Sequence, residues 1–277
     1  MITRDKIVNV ISELCIKANI KLRPDVLRAL KNAFRAERKR DSKYILKTLI
    51  ENAYIASRDK IPICQDTGLP VVFVEIGDKA KINFNIKEAI VRGVEKGYKE
   101  GYLRNSIILE PLTRKGPSMF FPPVIHFDYT KGRHIKITVL PKGFGSENRS
   151  VLKMFKPTAS IEDIKKYIID SVDDTGADAC PPYIIGIGIG GTADMAGLLA
   201  KKSLLRPLDK RNRNPLISKV EDDLLRAVNR LGIGPAGLGG RFTCLAVAIE
   251  EFPTHIAGLP VAVNICCHAL RSATEVL

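Results

Sequence analysis

The chain has 277 residues, 45% of them hydrophobic and 27% charged, a globular composition long enough to bury a substantial core. No run of about 18 apolar residues is present, which excludes a membrane-spanning helix of the usual kind. The formal net charge of +14 raises nucleic acid as a partner, but the basic clusters Arg35–Arg40, Lys201-Lys202 and Lys210–Arg213 are scattered and carry no interleaved aromatics for base stacking. Small anionic substrates, or an acidic partner subunit, fit the charge equally well.

In chain order, residues 2–56 read as helices. Ile7, Val8, Val10, Ile11 and Leu14 recur at helical spacing, and the charges at Arg4, Asp5, Lys6 and Glu13 suit an amphipathic helix rather than a signal peptide. Pro24 opens a second helix. Asp41-Ser42 is placed to cap a third, from about Lys43 through Ala56, with Ile45, Leu46, Leu49 and Ile50 inward. The β-branched run 71–76 predicts a buried strand, and Asn85 opens a helix ending near Gly101. Residues 103–123 are irregular, with four prolines. Alternation over 124–129 and 134–140 around Lys131-Gly132 predicts a β-hairpin. Helices follow from Ser160 to about Val172, Met195 to Leu205 and Leu216 to Asn229, with strands over 183–189, 243–250 and 258–265. No repeat and no Ser/Gly linker divides the chain. The expectation is one α/β domain over 1–277, with a mixed β-sheet, a helical N-terminal portion (1–57) and glycine-rich loops at 141–148 and 232–240.

The densest chemistry is in Ile61–Pro70, IPICQDTGLP. Cys64, Gln65, Asp66 and Thr67 lie side by side between two prolines, on a backbone that cannot be a helix interior. Such a stretch reads either as a site loop held by the strand that follows it, or as a buried cysteine beside a polar turn. Gly186–Gly191 fits the G-x-G-x-x-G pattern after a strand and before a helix, but no acidic strand end follows about 20 residues on. Close helix–strand packing, together with carboxylate binding by the N–H groups of Gly190, Gly191 and Thr192, is the favoured reading of these glycines.

Six cysteines occur at 15, 64, 180, 244, 266 and 267. Without a secretory leader, a reducing cytoplasm disfavours disulfides. Cys15 and Cys244 fall on apolar positions and read as core. Cys64, Cys180 and Cys267 each lie at the end of an element. No C-x-x-C pair is present, so zinc-ribbon and thioredoxin readings fail. Three separated thiolates can serve an iron–sulfur cluster with one open iron, or can simply be core.

The ordered blocks PICQDTG (62–68), LR-x-S (103–106), VIH (124–126), KGFGSEN (142–148), CPP and GIGGT (180–192), LGIGPAGLGG (231–240) and HIAGLPVAVN-x-x-CHA-x-R (255–271) resemble the α subunit, or N-terminal domain, of the class I fumarate hydratase / L-tartrate dehydratase family of iron–sulfur hydro-lyases, over residues 5–275. The resemblance implies a [4Fe–4S] cluster on Cys64, Cys180 and Cys267, with Cys266 a non-ligand. It implies substrate contacts from Gln65, Arg104 and the backbone of Gly145, and catalytic roles for Asp66 and His255. It further implies a small dicarboxylate substrate, with fumarate–malate interconversion of the tricarboxylic acid cycle as the first reading and tartrate or another hydroxy-diacid as the alternative. A separate β subunit would complete the site, giving a cytoplasmic hetero-oligomer without nucleic acid or membrane. A cluster-free paralogue is the remaining alternative. In one place the chain departs from the family pattern. Arg114–Pro122 (RKGPSMFFP) stands where relatives carry R-x-N-T-G-D-N-T-P, losing the Asn and Asp and gaining two aromatics.

Overall fold

The computed structural model describes residues 2–277. Its elements are mixed α/β with a helical N-terminal portion, as expected, arranged in two four-stranded sheets. Within the expected single span the chain packs as two compact units, Met1–Arg23 with Ala53–Phe144 and Arg271–Leu277, and Pro24–Asn52 with Gly145–Leu270. The chain passes between them at 23/24, 52/53, 144/145 and 270/271, and this interleaving leaves no linker for a sequence to display.

The first unit is built on the sheet β2-β1-β3-β8, with β1 Leu69–Gly77, β2 Val124–Thr130, β3 Ile135–Lys142 and β8 Ala273–Val276. β1 is apolar on both faces and takes a central place, and Val72, Val74, Ile135, Ile137 and Val139 are fully or nearly fully buried. Helices α1 (Arg4–Ile20) and α4 (Ile86–Glu100) cover them with Ile7, Ile11, Leu14, Ile90 and Val94. Each such aliphatic side chain contributes about 1.5–3 kcal/mol on burial. The predicted hairpin does not form. β2 pairs with β1 in parallel and β3 pairs with β1 antiparallel, so β1 lies between them. The turn after β2 wraps the end of β1, where Asp78 N donates to the Thr130 carbonyl and Gly77 N to that of His134. The alternation was real, but the more apolar β1 takes the central position and leaves the mostly exposed β2 at the edge.

The second unit has sheet order β4-β7-β5-β6, with β4 Val151–Phe155, β5 Tyr183–Gly190, β6 Cys244–Phe252 and β7 Leu259–Cys266. One apolar layer joins Ile185, Ile187, Val247, Val263 and Ile265 to Ile168 and Val172 of α6 (Ile161–Thr175) and Leu224 and Val228 of α8 (Pro215–Arg230). Ser160 caps α6 in a full capping box with Asp163. Helices α2 (Pro24–Ala36) and α3 (Arg40–Asp59) come from the N-terminal portion, and α3 begins before Ser42. The expected cap is therefore a buried helical residue, and its hydroxyl donates to the Gly239 carbonyl at 2.6 Å. The four-residue α5 (Phe144–Glu147) replaces part of the predicted glycine-rich loop. The short strands β4 and β8 lack the length or alternation that would announce them.

Helix α7 (Ala193–Ser203) lies directly on β5. A Cβ on Gly188 would stand 2.0 Å from the Ala196 carbonyl oxygen, and one on Gly186 would stand 2.1 Å from that of Ala200. Only glycine permits this approach. The packing half of the glycine-motif reading therefore holds. We expect Gly188→Ala to cost about 1–3 kcal/mol or more, because backbone must move to admit one methyl group. Urea unfolding of the variant should show a lower midpoint, and an unchanged midpoint would contradict this packing.

Candidate active site

In the first unit the turn Cys64–Gly68 leads into β1. Cys64 and Gln65 are exposed, Asp66 is half-buried and Thr67 is buried. Thr67 spends its side chain on structure. Its hydroxyl accepts from the Arg104 N–H at 3.0 Å and faces the Arg104 carbonyl at 3.5 Å. This latch ties the Arg104 backbone to Thr67, and four of the predicted site residues, Cys64, Gln65, Asp66 and the exposed Arg104, belong to the first unit. Gly68 sits at φ +74°, and a Cβ there would meet Pro141 and Lys142 backbone at 2.7–2.9 Å, so the turn requires glycine.

Asp66 is held firmly. One carboxylate oxygen accepts from Gly68 N at 2.9 Å and the other from Phe144 N at 2.8 Å. The carbonyl oxygens of the turn have donors as well. The Tyr98 hydroxyl lies 3.0 Å from both the Thr67 and Gly68 carbonyls, and the Arg271 guanidinium donates to the Asp66 carbonyl at 2.9 Å. Phe120, one of the two aromatics of the altered 114–122 stretch, packs at 6.3 Å from the Tyr98 ring. The base of that stretch is closed by mutual backbone hydrogen bonds between Ile107 and Met119.

In the second unit Cys180 occupies a turn at φ +57°, a conformation uncommon for a residue with a Cβ and typical of sites under local constraint. Its N–H donates to the Ala177 carbonyl at 3.1 Å, and its own carbonyl faces the His268 N–H at 3.4 Å and the His268 Nδ1 at 3.1 Å. A carbonyl can only accept, so His268 carries its proton on Nδ1 in that bond. His268 follows Cys267, and the pair of bonds thus sets the Cys180 turn next to the end of β7. The second glycine-rich loop supports the same turn through Ala236 N and the Pro181 carbonyl at 3.0 Å. Gly145 is exposed, and nothing lies within 4 Å of where its Cβ would be.

His255 is placed elsewhere. It lies in the loop before β7, where its Nδ1 accepts from Ala257 N at 3.1 Å and neighbouring Thr254 faces the Gly191 carbonyl at 3.4 Å. β7 runs eight residues from that end to Cys266, roughly 23 Å at the usual strand rise. Carboxylate binding at the Gly190–Thr192 helix start is also not supported. The Gly191 N–H is given to the Pro253 carbonyl at 3.1 Å. The chain's own Asp194 takes up the first turn, where the Thr192 hydroxyl and the N–H groups of Asp194 and Met195 hold its carboxyl below the usual range.

The cysteines divide by environment. Cys15, Cys244 and Cys266 are buried, Cys64 and Cys180 are exposed, and Cys267 is half-buried. Burial pushes the Cys15 thiol well above its ordinary value and that of Cys244 up to about 12, so both behave as core. Among the described residues, no three His, Cys, Asp or Glu side chains are gathered closely enough to hold a metal ion. Cys64 belongs to the first unit, and Cys180 and Cys267 to the second. As a donor set, three accessible thiols suit a cuboidal iron–sulfur cluster better than a single hard cation. Sequence reasoning assigned no role to Tyr98, His268 or Arg271. His268 and Arg271 stand inside the CHA-x-R block and so had a signal, while Tyr98 had none.

The family model for fumarate hydratase (fumerase) matches residues 8–276. The chain is 44% identical over 277 residues to a Methanocaldococcus jannaschii protein named "Putative L(+)-tartrate dehydratase subunit alpha", covering 98% of this chain and 97% of that one. It is 29% identical over 273 residues to the L(+)-tartrate dehydratase subunit alpha of Escherichia coli K12, and likewise to that of Shigella sonnei, covering 98% of this chain and 90% of each relative. The chain belongs to the fumarate hydratase family of hydro-lyase enzymes. No helix among the described residues is long and apolar enough to cross a membrane.

From exposure alone, iodoacetamide should alkylate Cys64 and Cys180 of the reduced, metal-free chain readily and Cys267 more slowly, leaving Cys15, Cys244 and Cys266 untouched. Peptide mass spectrometry reads the pattern, and early labelling of Cys266 ahead of Cys267 would overturn it.

Proposed function

We propose that this chain is the α subunit of a [4Fe–4S]-dependent hydro-lyase acting on a four-carbon hydroxy-diacid, with reversible hydration of fumarate to L-malate as the first reading. The observation that carries it is the sorting of six cysteines into three buried and three accessible, the accessible set being Cys64, Cys180 and Cys267. These three would hold the cluster. When bound, a cluster with only three thiolate ligands supplies a Lewis-acidic iron with an open position.

The chain's own residues do the rest. Arg104, latched to the turn by Thr67, offers an exposed guanidinium to a substrate carboxylate. Gln65, exposed on the same turn, orients the diacid by hydrogen bonds, and the open backbone of Gly145 accepts its approach. Asp66 is held by two backbone N–H groups, one on each oxygen, which leaves a lone pair on each for substrate or proton. In the dehydration direction its carboxyl proton goes to the departing hydroxyl, which leaves as water. His255 enters as a proton-handling group on the family pattern alone, with β7 between it and Cys267. The proton on carbon is taken by a base from a β subunit, and the complex works in the cytoplasm. Relatives named as α subunits support such a partner.

Dehydration of L-tartrate is the second reading, favoured by the names of those relatives. The experiment is an anaerobic assay of the chain co-expressed with its β subunit against fumarate, L-malate and the tartrate isomers. Interconversion of fumarate and malate supports the first reading. Preferential turnover of L-tartrate moves the assignment to the second, and no turnover of any of them by an iron-loaded complex rejects both. In parallel, Cys64→Ala, Cys180→Ala and Cys267→Ala should each lose the brown absorbance of the anaerobically reconstituted chain, while Cys15→Ala and Cys244→Ala keep it. Full cluster retention in any of the first three would remove that residue from the ligand set.

A further inference from the structure

Arg271 is 3% exposed, in the first unit. Its Nη1 donates to Asn19 Oδ1 at 3.1 Å and its Nη2 to the Asp66 carbonyl at 2.9 Å. Both acceptors are neutral. Its Nε is buried without any hydrogen-bond partner, and the guanidinium forms no ion pair among the described residues. The Asp66 carboxylate does approach the same place. A Cβ on Gly143 would lie 3.3 Å from Asp66 Oδ2 and 3.6 Å from Arg271 Nη2. The carboxylate forms no ion pair with the guanidinium, and its two oxygens accept from the N–H groups of Gly68 and Phe144.

A buried cation without a paired anion is expensive, and a neutral donor such as glutamine could make the same hydrogen bonds more cheaply. The two bonds account for a side chain that ties the turn to the end of α1, where Ile63 N also donates to the Asn19 carbonyl at 2.9 Å. They do not account for the charge. Cys64 and Gln65 immediately precede the residue that the guanidinium holds.

We propose that Arg271 is the positioning residue of the Cys64–Gly68 turn, and that its charge is the counter-charge for an anion held at this turn when the site is loaded. This rests on the functional reading above, and two sources supply such an anion: a thiolate-bound iron–sulfur core and a dicarboxylate. Arg271 acts through the turn and touches neither substrate nor reacting atoms.

The test uses Arg271→Gln, which keeps a donor and loses the charge, and Arg271→Lys, which keeps the charge. In the metal-free full chain, Arg271→Gln should move Tm by no more than about 4 °C, since the lost bond is offset by relief of the buried charge. After anaerobic reconstitution, its iron should pass to a chelator about tenfold faster than that of wild type, while Arg271→Lys stays within about twofold. Faster release identifies the cluster as the anion. Unchanged release with a raised KM and unchanged kcat in the co-expressed complex identifies the dicarboxylate. The proposal is overturned if Arg271→Gln matches wild type in both measurements, if Arg271→Lys is as impaired as Arg271→Gln, or if Arg271→Gln lowers Tm well beyond that range.

Should wild type bind no iron and sulfide, the functional reading fails by itself. L-malate added to the metal-free chain then decides the matter for Arg271. A Tm rise in wild type that is lost in Arg271→Gln supports the counter-charge, and an equal rise in both, or none in wild type, refutes it.

Discussion

The carbonyl oxygens of the Cys64–Gly68 turn impose the constraint from which the first unit's site follows. Buried backbone acceptors must be given donors, because each one left unsatisfied costs about as much as a lost hydrogen bond. The core beside this turn is aliphatic and has almost none to offer. Two long side chains reach in to supply them, the Tyr98 hydroxyl to Thr67 and Gly68 and the Arg271 guanidinium to Asp66. Once the backbone is satisfied from beneath, the side chains of Cys64 and Gln65 are left facing outward. Burial raises the Tyr98 hydroxyl far above its ordinary value, so it stays protonated and remains a donor.

The second unit meets its constraint by close approach. Gly186 and Gly188 let α7 lie on β5 with backbone almost in contact, and the turn before β5 then carries Cys180 in a left-handed conformation. Such a conformation persists only where surrounding bonds over-determine it. Here they come from Ala177, from the backbone N–H and the ring Nδ1 of His268, and from the Ala236 bond to the adjacent Pro181 carbonyl. The same arrangement explains why the glycine motif is not a dinucleotide fingerprint. Its glycines are filled by helix, and the helix start is occupied by the chain's own Asp194 and Pro253.

Periodicity made the helices and the long buried strands legible, because one stripe or one face of each had to be apolar. It misread β2 and β3 as a hairpin, since alternation reports which side chains are buried and says nothing about which strand lies next door. It missed β4 and β8, which are short edge strands held by pairing rather than by their own pattern. Of the candidate site residues, those with distinctive chemistry stood out in the sequence: Cys64, Gln65, Asp66, Arg104, Cys180 and Cys267. The holding roles of Thr67, Tyr98 and Arg271 did not, although Thr67 and Arg271 stand inside recognisable motifs, because these residues act through main-chain carbonyls and amides that leave no side-chain partner to pattern-match. His255 is a different case. Twelve residues from Cys267 in sequence, it is carried away from that thiol by an extended strand.

Burial also separates two adjacent thiols that composition treats alike. Cys266 ends β7 and is buried, so its sulfur belongs to the strand. Cys267 is the first residue beyond the strand and is half-buried, the more accessible of the pair. His268 then anchors the Cys180 turn, and Arg271, three residues later, anchors the Cys64–Gly68 turn. One short stretch of chain, 267–271, thus supplies a thiol of its own and the bonds that steady the turns bearing the other two.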